Sequence, residues 1–258
     1  MLRAVFLLLN GMKALSKIIS YPFSILFYLL FGITIVVFHP IQWICFNWFG
    51  YKAHKKSVDY LNWTLLRCLN VLGTTFLIDI NTSIPNNVPI IIVSNHQSMW
   101  DISPIVWYLR KYHPKFISKV ELGKGIPSIS YNLRHGGSIL IDRKNPRQAI
   151  VEMVKFSKYL QKFNRSGVIF PEGTRSKTGV PKAFRRTGLQ TLFKKIPNGY
   201  VLPVTINNSW KLQRWGMFPI QMGVRLEMTV HPAIKIADYE VELLIDKVEE
   251  TITSKIHK

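Results

Sequence analysis

The chain has 258 residues, 48% of them hydrophobic, and 34 Lys+Arg against 14 Asp+Glu give it a formal charge of +20. That length buries a core on its own and excludes a disulfide-stapled scaffold; Cys45 and Cys68 lie in apolar stretches without metal-ligand spacing and read as reduced structural thiols facing a cytosolic compartment. So basic a chain seeks phosphate on nucleic acid, anionic lipid or phosphorylated substrates, the more so ahead of residue 238, because Asp238, Glu240, Glu242, Asp246, Glu249 and Glu250 all fall in the last segment.

The first residues, MLRAVFLLLNGMKAL, have a short apolar core and no small-residue cleavage site, so a secretory signal is not expected. From Ile18 to Gly50 there is no Lys, Arg, Asp or Glu. A spanning helix takes about 20 apolar residues. Ile18–Phe38 just reaches that length, and Ile41–Phe49 adds a second, aromatic stretch. Lys13 and Lys17 precede this run; Lys52, Lys55 and Lys56 follow it. Positive charge on both flanks argues against one full span. It favours both ends on the cytoplasmic side, with the chain dipping into one leaflet or turning back in a short hairpin near His39–Pro40. A helix buried in a soluble core is the alternative. Composition shifts near Lys52–Lys56, which divides the chain into a membrane-associating segment, 1–56, and a second unit, 57–258.

Beyond the boundary, Leu61, Leu65, Leu66 and Leu69 stand near helical spacing and predict a helix over Val58–Leu72. Short apolar runs then predict strands at Phe76–Ile80, Pro89–Val93, Phe116–Ser118, Ser138–Ile141, Val168–Phe170, Val201–Ile206 and Arg225–Val230. Between them, Asp101–Lys111, Pro146–Phe163, Phe184–Lys195 and Asp238–Ile256 read as helices. Asn145 with Pro146 forms an N-cap and first-turn pair, and Asp238 is placed to cap the last helix. Pro203 interrupts its apolar run, which suggests an edge strand or a bend. The alternation implies an α/β fold: a mixed, partly parallel sheet flanked by helices, with an N-terminal apolar helical membrane anchor or hairpin. In such sheets reactive residues collect in loops beyond the strand ends.

The segment Ser94-Asn95-His96-Gln97-Ser98-Met99-Trp100-Asp101 follows one apolar strand. On a continuous helix His96 and Asp101 would face apart by about 140°. With His96 on the strand-to-helix turn and Asp101 in the first helical turn, the two converge. A carboxylate on one imidazole nitrogen fixes the tautomer and makes the other nitrogen a base. The same residues also fit a surface histidine beside a helix-capping aspartate. A second cluster, Phe170-Pro171-Glu172-Gly173-Thr174-Arg175-Ser176, sits at another strand end, with Arg185 and Arg186 downstream. Arg175 offers planar donors matched to phosphate or carboxylate, Glu172 is placed to position Arg175 or a substrate hydroxyl, and Gly173 permits close backbone approach. A turn held by an ion pair is the plainer reading. The run Gly137–Arg143 brings one more arginine to a strand end.

Taken in order, these segments resemble the lysophosphatidic acid acyltransferase family, the PlsC-like acyltransferases of glycerolipid synthesis. The resemblance rests on Asn95-His96-Gln97-Ser98 through Asp101, Gly137 through Arg143, Glu172-Gly173-Thr174-Arg175-Ser176 and Leu202-Pro203-Val204. Lys119-Val120-Glu121-Leu122 with Pro127 matches a further family segment, and the likeness covers roughly residues 75–210. It implies His96 as general base and Asp101 as its orienting partner. It implies a substrate phosphate held by Lys119, Arg143 and Arg175, an acceptor site shaped by Glu172, Gly173 and Thr174, and a pocket lined near Pro203. The acceptor implied is lysophosphatidic acid. The acyl donor is acyl-CoA or acyl carrier protein as co-substrate, with no cofactor, no metal and no covalent intermediate. Consistent with that, the chain has no Gly-x-Ser-x-Gly elbow and no cysteine beside the dyad. Backbone amides near the helix at Asp101 are candidate oxyanion donors. Two departures stand out: Arg185 replaces a family lysine, and Ser128–Asn132 lacks the expected aromatic-glycine pattern.

Two other readings compete. One is a relative acting on glycerol-3-phosphate or another lysolipid. The other is a basic membrane-binding protein without chemistry. Nucleic acid is not expected as a partner, because no nucleic-acid motif accompanies the charge, whereas the apolar run and its lysines suit a phospholipid membrane at its cytoplasmic face.

Overall fold

The computed structural model describes residues 2–80 and 82–257, with side chains from Ala14 onward. Met1 and Lys258, the outer ends of the 1–56 and 57–258 units, lie outside the described residues.

Helix α1 runs from Leu2 to Asn70 and is broken at Gly50, where φ is 75° and ψ is −167°. The turn expected at His39–Pro40 is not there: Pro22 and Pro40 both lie inside the helix. A helical proline removes one hydrogen bond and bends the axis, whereas reversal needs a positive φ that glycine supplies. Thr34 Oγ1 lies 3.7 Å from Cys68 Sγ, so the arm after Gly50 returns along the arm before it. The first arm is patterned inside out. Ser20, Ser24, Thr34 and Gln42 are buried, while Ile18, Ile25, Leu29, Val36, Trp48 and Phe49 are exposed. Ser20 and Ser24 donate to carbonyls four residues back, which lets small polar residues sit against the protein. Ser24 Oγ also accepts from Ile220 N–H at 2.8 Å and fastens the arm to the domain. The second arm inserts Leu61, Leu65, Leu66 and Leu69 into the interior.

Eight strands form the sheet: β1 (Thr75–Asp79), β2 (Ile90–Ser94), β3 (Lys115–Lys119), β4 (Ile139–Ile141), β5 (Ser166–Ile169), β6 (Tyr200–Asn207), β7 (Arg225–Val230) and β8 (Ile234–Lys235). Their order is β1-β7-β6-β2-β5-β3-β4, with β8 beside β6. All pairings are parallel except those of β6 with β7 and β8. Helices α2 (Ile102–Tyr108), α3 (Ile129–His135), α4 (Pro146–Phe163), α5 (Arg186–Lys195) and α6 (Val241–Thr253) complete the fold. Strand β2 shows the layering. Ile90 and Ile92 join Leu69, Trp100 and Ile105 on one face, while Ile91 and Val93 join Phe156, Leu192 and Leu244 on the other.

The expected strands fall within a residue or two of those observed, and α4 has the expected bounds, with Asn145 Oδ1 accepting from Gln148 N–H. Among the described strands and α-helices, α3 and the two-residue β8 were not foreseen, nor were the 3₁₀ turns Val120–Gly123 and Ser209–Gln213. The span Asp101–Lys111 is not one helix but a 3₁₀ turn at Met99–Asp101, α2, and a second 3₁₀ turn at Arg110–Tyr112. Asp238 does not cap α6. It ends the 3₁₀ turn Ile236–Asp238, and extended backbone at Tyr239 and Glu240 moves the helix start to Val241. Pro203 lies in neither an edge strand nor a bend, for β6 is interior to the sheet. β6 pairs with β8 at Tyr200 and Val201 and with β7 from Val204 onward. Pro203 occupies the switch between these partners, where a missing N–H breaks no antiparallel ladder bond.

Candidate active site

Because β2, β3, β4, β5 and β6 all point the same way, the segments that follow them gather at one edge of the sheet. His96 follows β2, and the Pro171–Arg175 loop follows β5. Lys119 ends β3 in register with Ile141 of β4, which puts Arg143, two residues further on, beside it.

The dyad forms. His96 Nδ1 lies 2.8 Å from Asp101 Oδ2. The carboxylate is fully buried and the imidazole 16% exposed. A buried carboxylate accepts here, so Nδ1 carries the proton and Nε2 is the bare nitrogen. Asp101 is tightly held. Its Oδ2 also accepts from Gln97 N–H at 2.7 Å and Ser98 N–H at 2.9 Å. Its Oδ1 accepts from Ser98 Oγ at 3.3 Å and from Ser209 Oγ. Ser98 in turn caps the 3₁₀ turn by accepting from Trp100 N–H at 3.1 Å. This local capping box is what turns a five-residue separation into a contact. It also uses the amides expected as oxyanion donors: those of Gln97, Ser98, Trp100 and Asp101 all have acceptors within the protein.

The imidazole has a wall. Phe170 stacks on it with centroids 4.1 Å apart and planes 17° from parallel. Beneath it, Glu172 is buried with both oxygens engaged: Oε1 accepts from His96 N–H at 2.8 Å and Oε2 from Lys182 N–H at 3.0 Å. Burial pushes the Glu172 carboxyl above its ordinary range, against the pull of these two amides and of the nearby Lys182 charge. Glu172 therefore braces the two loops and forms no ion pair with Arg175 among the described residues. Gly173 has φ 71°, and a Cβ there would sit 3.1 Å from Arg185 Nε. Its carbonyl accepts from Arg143 Nη1. Arg143 and Arg185 thus converge on Gly173. Burial and the neighbouring Arg185 lower Arg143 from its ordinary value, with Glu121 opposing. Thr174 Oγ1 and the Arg175 carbonyl both accept from Lys182 Nζ, at 2.8 and 3.0 Å. The side chains of Lys119, Arg143, Thr174, Arg175 and Arg185 are exposed around the dyad edge.

Leu202 and Val204 are fully buried in the apolar layer beside α1, so the Pro203 run lines core rather than a pocket. Three residues unforeseen in the sequence serve the dyad: Ser209, Phe170 and Asn95. Asn95 bonds Ile206 twice, accepting from its N–H at 2.7 Å and donating to its carbonyl at 2.8 Å. It thereby welds the end of β2 to the end of β6 and delivers Ser209 to Asp101. Only the parallel pairing of β2 with β6 could have pointed to Ser209.

Residues 77–207, about half of the chain, match the family model described as Acyltransferase. A 1-acyl-sn-glycerol-3-phosphate acyltransferase of Helicobacter pylori is 39% identical over 125 residues, covering 47% of this chain and 50% of that protein. One from Cocos nucifera is 30% identical over 221 residues, covering 84% of this chain and 68% of that one. In fold, the chain is similar to the crystal structure of the 1-acyl-sn-glycerophosphate (LPA) acyltransferase PlsC from Thermotoga maritima. The TM-score is 0.74 at 24% identity, over 93% of this chain and 96% of that chain. Sequence match and architecture agree: the chain belongs to the lysophosphatidic acid acyltransferase (PlsC-like) family of acyltransferases.

Proposed function

We propose that the protein transfers a fatty acyl group from acyl-CoA or acyl carrier protein to the sn-2 hydroxyl of 1-acylglycerol-3-phosphate, making phosphatidic acid at the cytoplasmic face of a membrane. The 2.8 Å contact from His96 Nδ1 to Asp101 carries this reading. It leaves Nε2 unprotonated at an edge rich in cations. Nε2 takes the proton of the acceptor hydroxyl as its oxygen attacks the thioester carbonyl carbon. Asp101 stabilises the imidazolium so formed. The tetrahedral oxyanion collapses, the C–S bond breaks, and the imidazolium returns its proton to the departing thiolate. No covalent acyl-enzyme and no cofactor enters. Arg143, Arg175 and Lys119 hold the acceptor phosphate, with Arg185 beside Arg143. Glu172, Gly173 and Thr174 shape the loop that presents these cations.

The test is acyl transfer from labelled oleoyl-coenzyme A in detergent or liposomes. The acceptors are lysophosphatidic acid, glycerol-3-phosphate and lysophosphatidylcholine, with acyl carrier protein as a second donor. We expect labelled phosphatidic acid from lysophosphatidic acid, and a drop in kcat of about 10²- to 10⁴-fold in His96→Ala, with the circular dichroism of the wild type. Unchanged turnover in that variant would sink the mechanism. Preference for another acceptor would move the substrate and keep the chemistry.

A further inference from the structure

At the opposite edge of the sheet a second group of cations is built into the protein, one β5 length, roughly 13 Å, from the dyad edge. Lys115 opens β3 and is 6% exposed, and among the described residues no hydrogen-bond or ion-pair partner meets its ammonium. Arg165 immediately precedes β5. Tyr51, the residue after the Gly50 break, carries both cations on its ring: the Arg165 guanidinium at 3.5 Å from the centroid and the Lys115 ammonium at 5.0 Å. Tyr51 Oη pairs with His113 Nδ1 at 2.8 Å. Among the described residues the carboxylate acting on Lys115 is Asp59, and it is taken up by Lys55 at 2.5 Å. Buried positive charge therefore exceeds buried negative charge here, a state that costs free energy until an anion balances it. Burial, then Arg165 and Lys55, hold Lys115 down to about 7, with Asp59 alone pushing back.

A cavity of about 240 Å³ adjoins this group. His113 and Phe163 form the shared wall, Phe163 lying 4.6 Å from the Arg165 guanidinium. Val88, Ile90 and Tyr112 also line it, and Asn86, Asn87, Lys111 and Asn164 bring side chains that carry hydrogen-bond donors. Strongly exposed Trp48 and Phe49, 71% and 68%, stand at the hinge next to Tyr51, where an aromatic pair suits a lipid–water interface.

We infer that this cavity is a second oxyanion site, distinct from the one beside His96, which takes a phosphate group on Lys111, His113 and the asparagine amides, backed by Lys115 and Arg165. Inorganic phosphate and a phospholipid head group present the same oxyanion chemistry to these donors.

The experiment uses the full chain in detergent and equilibrium dialysis with radiolabelled inorganic phosphate. A background of Lys119→Gln, Arg143→Gln, Arg175→Gln and Arg185→Gln removes the cations that hold phosphate at the dyad edge. This protein should still bind one phosphate, and adding Lys111→Gln or Lys115→Met should weaken that binding by about tenfold or more. Lys111 is exposed, so its variant folds even if Lys115→Met does not. Co-sedimentation with phosphatidylcholine vesicles, with and without phosphatidylglycerol, separates the sources. Loss of the phosphatidylglycerol-dependent part in Lys111→Gln assigns the site to a head group. Loss in dialysis alone assigns it to soluble phosphate. If the background protein binds no phosphate, or if Lys111→Gln and Lys115→Met change neither measurement, the inference is overturned.

Discussion

At the scale of single residues, the dyad depends on a hydroxyl that arrives from far away in sequence. Ser209 Oγ donates to Asp101 Oδ1 from 108 positions downstream and fixes the carboxylate that fixes the imidazole. Ser209→Ala should lower kcat by about three- to tenfold with KM unchanged, since one neutral-to-charged hydrogen bond is lost away from the substrate. A KM effect of equal size would show that Ser209 acts on substrate binding instead. Lys115 makes a second residue-scale statement. The folded protein releases its proton near pH 7, whereas the unfolded chain keeps it to about 10.5. The cost of burying the ammonium is thus fully present below pH 7 and is relieved as pH rises from 7 to 10.5. Lys115→Met should therefore be more stable than wild type at pH 6, by an amount that shrinks toward pH 10. Urea unfolding in phosphate-free detergent buffer reads this directly. Tyr51, His54, Asp59, His113 and Arg165 face the same group, and the Lys115 charge acts on His54, Asp59 and His113; burial first, then the neighbouring cations, hold both histidines down to about 4, below this pH window, so the pH dependence of the difference follows Lys115. A stability difference that does not vary with pH would contradict the assignment.

At the scale of elements, the hairpin of α1 turns on one residue. Gly50 holds φ 75° and ψ −167°, a region open almost only to glycine, and nothing lies within 4 Å of the Cβ an alanine would add. Gly50→Ala should then cost about 1–3 kcal/mol of stability through backbone strain alone, measured by denaturant unfolding in detergent. The sequence offered a reversal in this stretch as one of two options and put it near His39–Pro40, where proline is the louder signal. Which glycine takes a positive φ depends on where the returning arm finds its partners, and no local pattern says so. Pro203 misled for a related reason: its effect depends on which strands flank β6, and that is decided by segments thirty residues away. By contrast, His96 and Asp101 were legible as a pair, because Ser98 builds the turn that joins them within one short segment. The cations of the loop edge were legible too, since each closes an apolar run. Phe170, Asn95 and Ser209 are ordinary residues until β2, β5 and β6 lie side by side.

At the scale of the molecule, the alternation of apolar runs announced a layered α/β fold, and the sheet order then collected the reactive segments at one edge. The first arm of α1 gives the protein a face unlike the rest, with its small polar residues inward and its aliphatic ones outward. Ile25, Leu29 and Val36 project from one stripe of that arm and are each more than half exposed. The triple variant Ile25→Gln, Leu29→Gln, Val36→Gln should keep the fold and turnover on micellar substrate while pelleting less with vesicles. The residual binding should then fall further with salt, because only the electrostatic part is screened. Pelleting equal to the wild type would show that another surface holds the membrane.

The bracing of the dyad sets an order of events during folding. The bond between His96 and Asp101 closes over five residues, but Glu172 reaches the His96 amide across 76 and Ser209 reaches Asp101 across 108. Contacts of such different span do not form together: short loops close early and long ones wait for the strands between them. A refolding chain should therefore close the His96–Asp101 contact before Glu172 and Ser209 clamp it. Recovery of catalysis on refolding should trail recovery of helical signal, and enzyme activity becomes a clock for the moment β6 docks against β2.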